Sequence, residues 1–92
     1  MSKERILVVE DNAIVALELQ SRLQRCGYTI ADVASYGEEA IEKVKETHPN
    51  LVLMDIRLKG EMDGIEVAEH ILDRCDIPIV YLTAYADDGT LQ

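Results

Sequence analysis

The sequence predicts an α/β fold built on a parallel sheet, on three observations. Apolar runs of strand length alternate with stretches of helical periodicity in the order βαβαβαβ, which demands parallel strands joined by crossovers. The central run, Leu51-Val52-Leu53-Met54, opens after Pro49-Asn50 and reads as a strand buried on both faces. It stops at Asp55, a charge that such a strand can keep only at its end. In open parallel sheets ligands bind at the carboxyl ends of strands. Asp55 and the loop after it, with Gly60 and Gly64 close by, are therefore the first place to look for function.

The elements follow in order. Arg5–Val9 is a second buried strand, and it too ends in acid, Glu10-Asp11. Asn12 reads as a helix N-cap. Val15, Leu19 and Leu23 recur every four residues, with Cys26 one turn on, and Gly27 is the stop. Residues 28–34 alternate less regularly and carry Asp32, which places this strand nearer the sheet edge. Gly37–Thr47 is a polar-faced helix with Ala40, Ile41 and Val44 inward, ended by His48-Pro49. Residues 64–75 form a third helix with the apolar stripe Val67, Ala68, Ile71, Leu72 and Cys75. Residues 77–82 form a fourth strand ending at Thr83. Residues 84–92 contain Asp87-Asp88-Gly89 and read as a loop running into the first turn of another helix. The period of roughly 25 residues is that of a βα unit, not of a solenoid.

Composition bounds the function classes. Ninety-two residues make one domain, and at 48% hydrophobic content, with no Trp or Phe, its core is built from Ile, Leu, Val, Ala and Met. A net charge of −9 argues against direct binding of nucleic acid or an anionic membrane. Cys26 and Cys75 fit no Cys-x-x-Cys spacing, which disfavours paired redox chemistry and zinc. Both are expected to be small core residues at helix ends in a reducing compartment. A strand begins within a few residues of Met1, leaving no room for a signal peptide, and no apolar run approaches the ~20 residues of a membrane span. The expectation is a soluble, cytoplasmic protein.

With parallel strands, Glu10, Asp11, Asp55 and Thr83 all fall on one sheet edge. Crowded carboxylates repel, and at neutral pH either a proton or a cation must offset that. Oxygen ligands without His or Cys suit Mg²⁺. Two carboxylates holding such an ion would receive a phosphate, and the hydroxyl of Thr83 would donate to a phosphoryl oxygen. Asp55 would then be the nucleophile, forming an aspartyl phosphate. Singly, an acid or a threonine at a strand end is commonplace; acids after two strands with a hydroxyl after a third are not. His48 and His70 are assigned no role.

The arrangement resembles the receiver domain of two-component response regulators along all 92 residues. Ile-Leu-Val-Val-Glu-Asp-Asn at 6–12 looks like that family's first strand and acidic pair, and Leu-Val-Leu-Met-Asp-Ile-Arg at 51–57 like its phosphoacceptor strand. Met62-Asp63-Gly64 looks like the opening of the third helix, and Ile-Pro-Ile-Val-Tyr-Leu-Thr-Ala at 77–84 like the fourth strand with its switch hydroxyl. The resemblance implies a flavodoxin-like three-layer fold with a parallel sheet of order 2-1-3-4-5. It implies phosphorylation of Asp55 by the phosphohistidine of a sensor histidine kinase. It implies Mg²⁺ on Asp11, Asp55 and the backbone carbonyl of Arg57, with Glu10 acting mainly through water. Thr83 would turn inward to the phosphoryl group and move the loop and helix that follow. Arg57 and Tyr85 occupy positions that in that family tune dephosphorylation and access to the site.

Three departures qualify the match. The acidic pair is Glu-Asp where Asp-Asp is common, and metal binding is expected to survive that change. The loop after Asp55 is longer and carries Lys59 where the family often has Pro; Lys59 itself reads as a solvated loop cation. The family's fifth strand, phosphoryl-contacting lysine, aromatic switch partner and last helix would lie beyond residue 92. The chain is thus expected to be a receiver incomplete at its C-terminus, phosphorylated weakly, and prone to self-association through its fourth strand and an uncovered sheet face. The enzyme alternative is a metal-dependent phosphatase with an aspartyl nucleophile, but it would want a second acid where Arg57 stands. A flavin or nucleotide module would want a Gly-rich or hydroxyl-rich phosphate loop where Glu10-Asp11-Asn12 stands.

Overall fold

The computed structural model describes residues 4–56, 58, 63–74 and 76–82. These form β1 (Arg5–Val9), α1 (Ala13–Arg25), β2 (Thr29–Ala34), α2 (Gly37–Thr47), β3 (Leu51–Asp55), α3 (Gly64–Arg74) and β4 (Ile79–Leu82). The strands pair in parallel in the order β2-β1-β3-β4. This is the flavodoxin-like order without its fifth strand among the described residues. The expected calls on Arg57, Lys59, Cys75, Thr83, Tyr85 and residues 84–92 lie outside the described residues.

Strand alternation divides the core between two faces. Leu7, Val9, Val52 and Met54 point to the face covered by α2 and α3, where Ala40, Val44, Val67 and Ile71 meet them with almost no exposure. On the other face α1 packs over β1 and β2, above the buried Ile6 and Val8. β1 is thus buried on both sides. β3 is not, because Leu51 and Leu53 are only half-buried on the α1 side, which corrects the expectation of a strand enclosed on both faces. α1 covers the first two strands of the sheet and stops short of β3 and β4.

The ends of α1 and α2 have nameable causes. The Asn12 side chain accepts from the amides of Ile14 and Val15 at 3.0 and 3.1 Å, capping α1. At the other end Tyr28 N–H donates to Leu23 O and Gly27 N–H to Gln24 O, both 3.0 Å, with Gly27 at φ +98°. That pair of bonds around a left-handed glycine is a complete Schellman motif. α2 closes on His48, itself left-handed at φ 48°. There the Arg5 guanidinium donates to the carbonyls of Thr47 and His48 at 2.5 and 3.1 Å, tying the start of β1 to the end of α2.

Two apolar residues sit differently from their expected places. Cys26 is the C-cap of α1 and is exposed. At about 100° per residue it projects about 80° away from Ala16, the one buried residue of α1. Leu72 is 54% exposed. Gly64, Val67, Ala68 and Ile71 share an arc of about 100°, and Leu72 lies about 40° beyond its edge. β4 begins two residues later than expected. Pro78 has no N–H for the ladder, although its carbonyl accepts from Val52 N at 3.0 Å.

The start of α3 presses directly on the end of β3. Gly64 N–H donates to the Ile56 carbonyl at 2.8 Å, and a Cβ at Gly64 would lie 2.1 Å from the Asp55 carbonyl oxygen and 2.8 Å from Ile56 Cα. Those atoms are backbone and cannot swing aside. We predict that Gly64→Ala destabilises the chain by about 3 kcal/mol, the upper end of the usual overpacking cost, whereas Gly27→Ala costs about 1 kcal/mol. Urea denaturation with both variants checks this; equal midpoints for the Gly64 variant and the parent would contradict the packing described.

Candidate functional site

The register of the central strands places the acids. Val9 pairs with Met54, so Glu10, the next residue after β1, comes level with Asp55, the last residue of β3. Glu10 is held by its backbone: its N–H donates to Ala34 O at 2.9 Å, carrying the ladder toward β2 one step past β1. Its carboxylate accepts from Asn12 N at 3.1 Å. Asn12 therefore serves two ends, bonding back to Glu10 and forward into the first turn of α1, and Asp11 is fixed between them.

Asp55 is held from three directions. β1 and β4 flank it, with Leu82 as its partner on β4, and Gly64 closes over its carbonyl. α3 begins there because Asp63 and Glu66 form a capping box: Glu66 N–H donates to Asp63 Oδ1 at 2.9 Å and Asp63 N–H to Glu66 Oε1 at 3.0 Å. This contribution of Gly64 and its cap was not read from the sequence. Its signal is the Asp63-x-x-Glu66 spacing ahead of an apolar stripe, with Gly at the first helical position.

The result is a cluster in which Glu10, Asp11 and Asp55 each offer a carboxylate oxygen, all within 4.8 Å of one another. Glu10 and Asp55 are 5% and 2% exposed, and Asp11 is partly exposed. Burial pushes the Glu10 carboxyl up from its ordinary 4.5 to about 7, against the lowering effect of the Asn12 amide. The charge of Asp55 and hydrogen bonds shared with Asp55 and Asp11 add to the rise. Near neutral pH, then, a proton on Glu10 relieves part of the repulsion.

A hard divalent cation would relieve it more fully, and the donors suit one. All are carboxylate oxygens, without His or Cys. Mg²⁺ takes oxygen ligands at about 2.1 Å, so carboxylate oxygens within 4.8 Å of one another could share one ion. The structure brings together three of the expected site residues, Glu10, Asp11 and Asp55; Arg57 and Thr83 lie outside the described residues.

Comparison with known proteins matches this geometry to a family. A model of the response regulator receiver domain matches residues 6–92. The chain is 40% identical over 87 residues to a probable transcriptional regulator, ycf27, of Porphyridium aerugineum, covering 95% of this chain and 35% of that protein. It is 39% identical over 83 residues to a protein-glutamate methylesterase/protein-glutamine glutaminase of Natronomonas pharaonis, covering 90% of this chain and 23% of that protein. It therefore spans about a quarter to a third of the length of these two relatives. The solved signal receiver domain of a modulated diguanylate cyclase from Desulfovibrio desulfuricans G20 has a TM-score of 0.86 at 35% identity, covering 97% of this chain and 71% of that one. A family match across nearly every residue, with the same fold at this identity, means that the chain belongs to the response regulator receiver domain family.

Proposed function

We propose that this domain accepts a phosphoryl group on Asp55 from the phosphohistidine of a sensor histidine kinase, in a Mg²⁺-dependent reaction, and passes the change on through Thr83. The observation that carries the reading is the meeting of Glu10, Asp11 and Asp55 at the ends of the two central strands.

The chemistry asked of the chain is simple. An Asp55 carboxylate oxygen bonds to phosphorus as the P–N bond of the donor breaks, and the bonding pair leaves on the imidazole nitrogen. Asp55 must be ionised and fixed in direction, and its place at the buried end of β3, closed by Gly64, favours the second. Asp11 and Asp55 would hold Mg²⁺ together with the Arg57 carbonyl, and Glu10 would bind it through water. When bound, the ion neutralises charge on the transferring phosphoryl oxygens. The Thr83 hydroxyl would donate to one of those oxygens and draw the following segment inward. Water attacking phosphorus regenerates Asp55, so the chain is a phosphoacceptor that assists its own phosphorylation and dephosphorylation.

The reading makes the domain a cytoplasmic one, where kinases meet ATP. Among the described residues no helix is long and apolar enough to cross a membrane. The relatives place receivers in a transcriptional regulator and a methylesterase, so the proposal stops at the receiver and leaves the output free.

Two outcomes test it. Incubation with acetyl phosphate and Mg²⁺ should label the chain weakly at Asp55, with the label absent in Asp55→Asn and at least roughly tenfold slower in Asp11→Asn. Intact-mass measurement reads both, and phosphate retained by Asp55→Asn would overturn the assignment.

The second is a pH effect whose sign is set by Glu10. Its pKa is higher in the fold than in the unfolded chain, so the stability tied to its proton is full below about 4.5 and lost as pH rises through about 7. In divalent-free buffer the denaturation midpoint should fall from about pH 5.5 to about pH 8, and less so in Glu10→Gln. Mg²⁺ should raise the midpoint more at the higher pH, where it no longer competes with a proton. Equal Mg²⁺ stabilisation at both pH values would count against one ion binding this cluster.

A further inference from the structure

Gly64 opens α3 without any need for the conformational freedom of glycine. Among the described glycines only Gly27 has a left-handed φ. At an ordinary helical position alanine is the better residue, so it is space, not backbone geometry, that calls for glycine here. One peptide takes up that space. A Cβ at Gly64 would fall inside contact distance of the Asp55 carbonyl oxygen, 2.9 Å from its carbon and 2.8 Å from Ile56 Cα. The first residue of α3 thus rests on the link between Asp55 and Ile56, and its N–H donates to the Ile56 carbonyl at 2.8 Å.

Both sides of that contact are stiff. Behind Gly64, Val67, Ala68 and Ile71 anchor α3 with almost no exposure, and the Asp63–Glu66 capping box holds its first turn. β3 runs between β1 and β4, paired on the β4 side up to Asp55 itself. A side chain forced in at Gly64 must then be absorbed by turning the Asp55–Ile56 peptide, and the Asp55 carboxylate turns with it. Glu10 is fixed separately, through Ala34 O and Asn12 N, and does not follow. The fit of the acids to one another therefore depends on a helix that carries none of them.

We propose, on the reading that Glu10, Asp11 and Asp55 share a divalent ion, that Gly64 is a positioning residue for that site. Its close approach sets the direction of Asp55, and Glu66 secures the approach through the cap. Arg57, whose carbonyl is the further proposed ligand, follows directly on Ile56 in the chain, so the peptide under Gly64 leads to both ligands. Such coupling is reciprocal: what the seated helix does for the ion, the ion does for the start of the helix.

Calorimetric titration of the chain with magnesium chloride in chelator-treated buffer tests this. Gly64→Ala, measured where circular dichroism shows it folded, should bind at least about tenfold more weakly than the parent. Ile71→Val loosens the same helix away from Asp55 and should keep the parent's affinity. Glu66 is exposed, so Glu66→Ala keeps the fold and decides the matter where Gly64→Ala does not fold. Its binding should be roughly fivefold weaker, the lower end of ordinary coupling. Glu66→Gln should recover it, since glutamine also accepts the Asp63 amide. In the parent, Mg²⁺ should slow exchange of the Gly64 amide and leave that of Gly27 unchanged. Parent affinity in Gly64→Ala or Glu66→Ala overturns the proposal, as does an equal loss in Ile71→Val or a Glu66→Gln no better than Glu66→Ala. A parent that binds no Mg²⁺, or binds it no better than Asp11→Asn and Asp55→Asn do, overturns the shared-ion reading and this proposal with it.

Discussion

Parallel pairing of β1 with β3 is the constraint from which the rest follows. Neighbouring strands in a sheet lie about 4.8 Å apart, and the register Leu7↔Val52, Val9↔Met54 brings Glu10, the residue after β1, level with Asp55, the last of β3. Acids at those two positions must then stand side by side. Carboxylate oxygens of Glu10, Asp11 and Asp55 accordingly lie within 4.8 Å of one another. Repulsion between them stands open to relief by a proton on Glu10, whose carboxyl is pushed up by burial first and the Asp55 charge after it, or by a cation.

What holds these acids in place does not depend on their charge. Glu10 is fixed by its N–H to Ala34 O, α1 by the Asn12 cap, and the close of β3 by Gly64 N–H to Ile56 O and the Asp63–Glu66 capping box. These are backbone bonds and caps, and the helices they anchor pack on a core of Val, Leu, Ile, Ala and Met. The cluster can therefore change protonation, bind an ion or lose it while the frame around it stays put.

Where one periodicity dominated, the fold was legible. Arg5–Val9 and Gly37–Thr47 were placed to the residue, because the first is a solid apolar run buried on both sides and the second has a clean stripe with a stop. Asn12 and Gly27 were legible because caps have chemical signatures. The errors fall where spacing was read without angle. Leu72 sits one turn from the buried Ala68, and Cys26 one turn from the half-buried Leu23, yet both are exposed. Leu51 and Leu53 misled for another reason: an apolar strand does not say how far the helix above it extends. The acidic cluster was legible as residues on one edge. The near-contact of Gly64 with the Asp55 backbone was not, since no pattern in the letters encodes a 2.1 Å clash.

Among the described residues, burial falls from β1 through β3 to β4. β1 is buried throughout its last four residues, β3 at three of five, and no residue of β4 is fully buried. Buried apolar contact is what raises the free energy of local opening, so β1 and β3 are strands that resist it. Thr83, the proposed switch residue, follows directly on Leu82 of that most exposed strand, whereas Asp55 closes the better buried β3. Chemistry that must hold three acids within ångströms needs the rigid strands. A response that must move backbone needs an element whose displacement costs little. Under the proposed function the two needs adjoin at Asp55↔Leu82, the last register pair of β3 and β4.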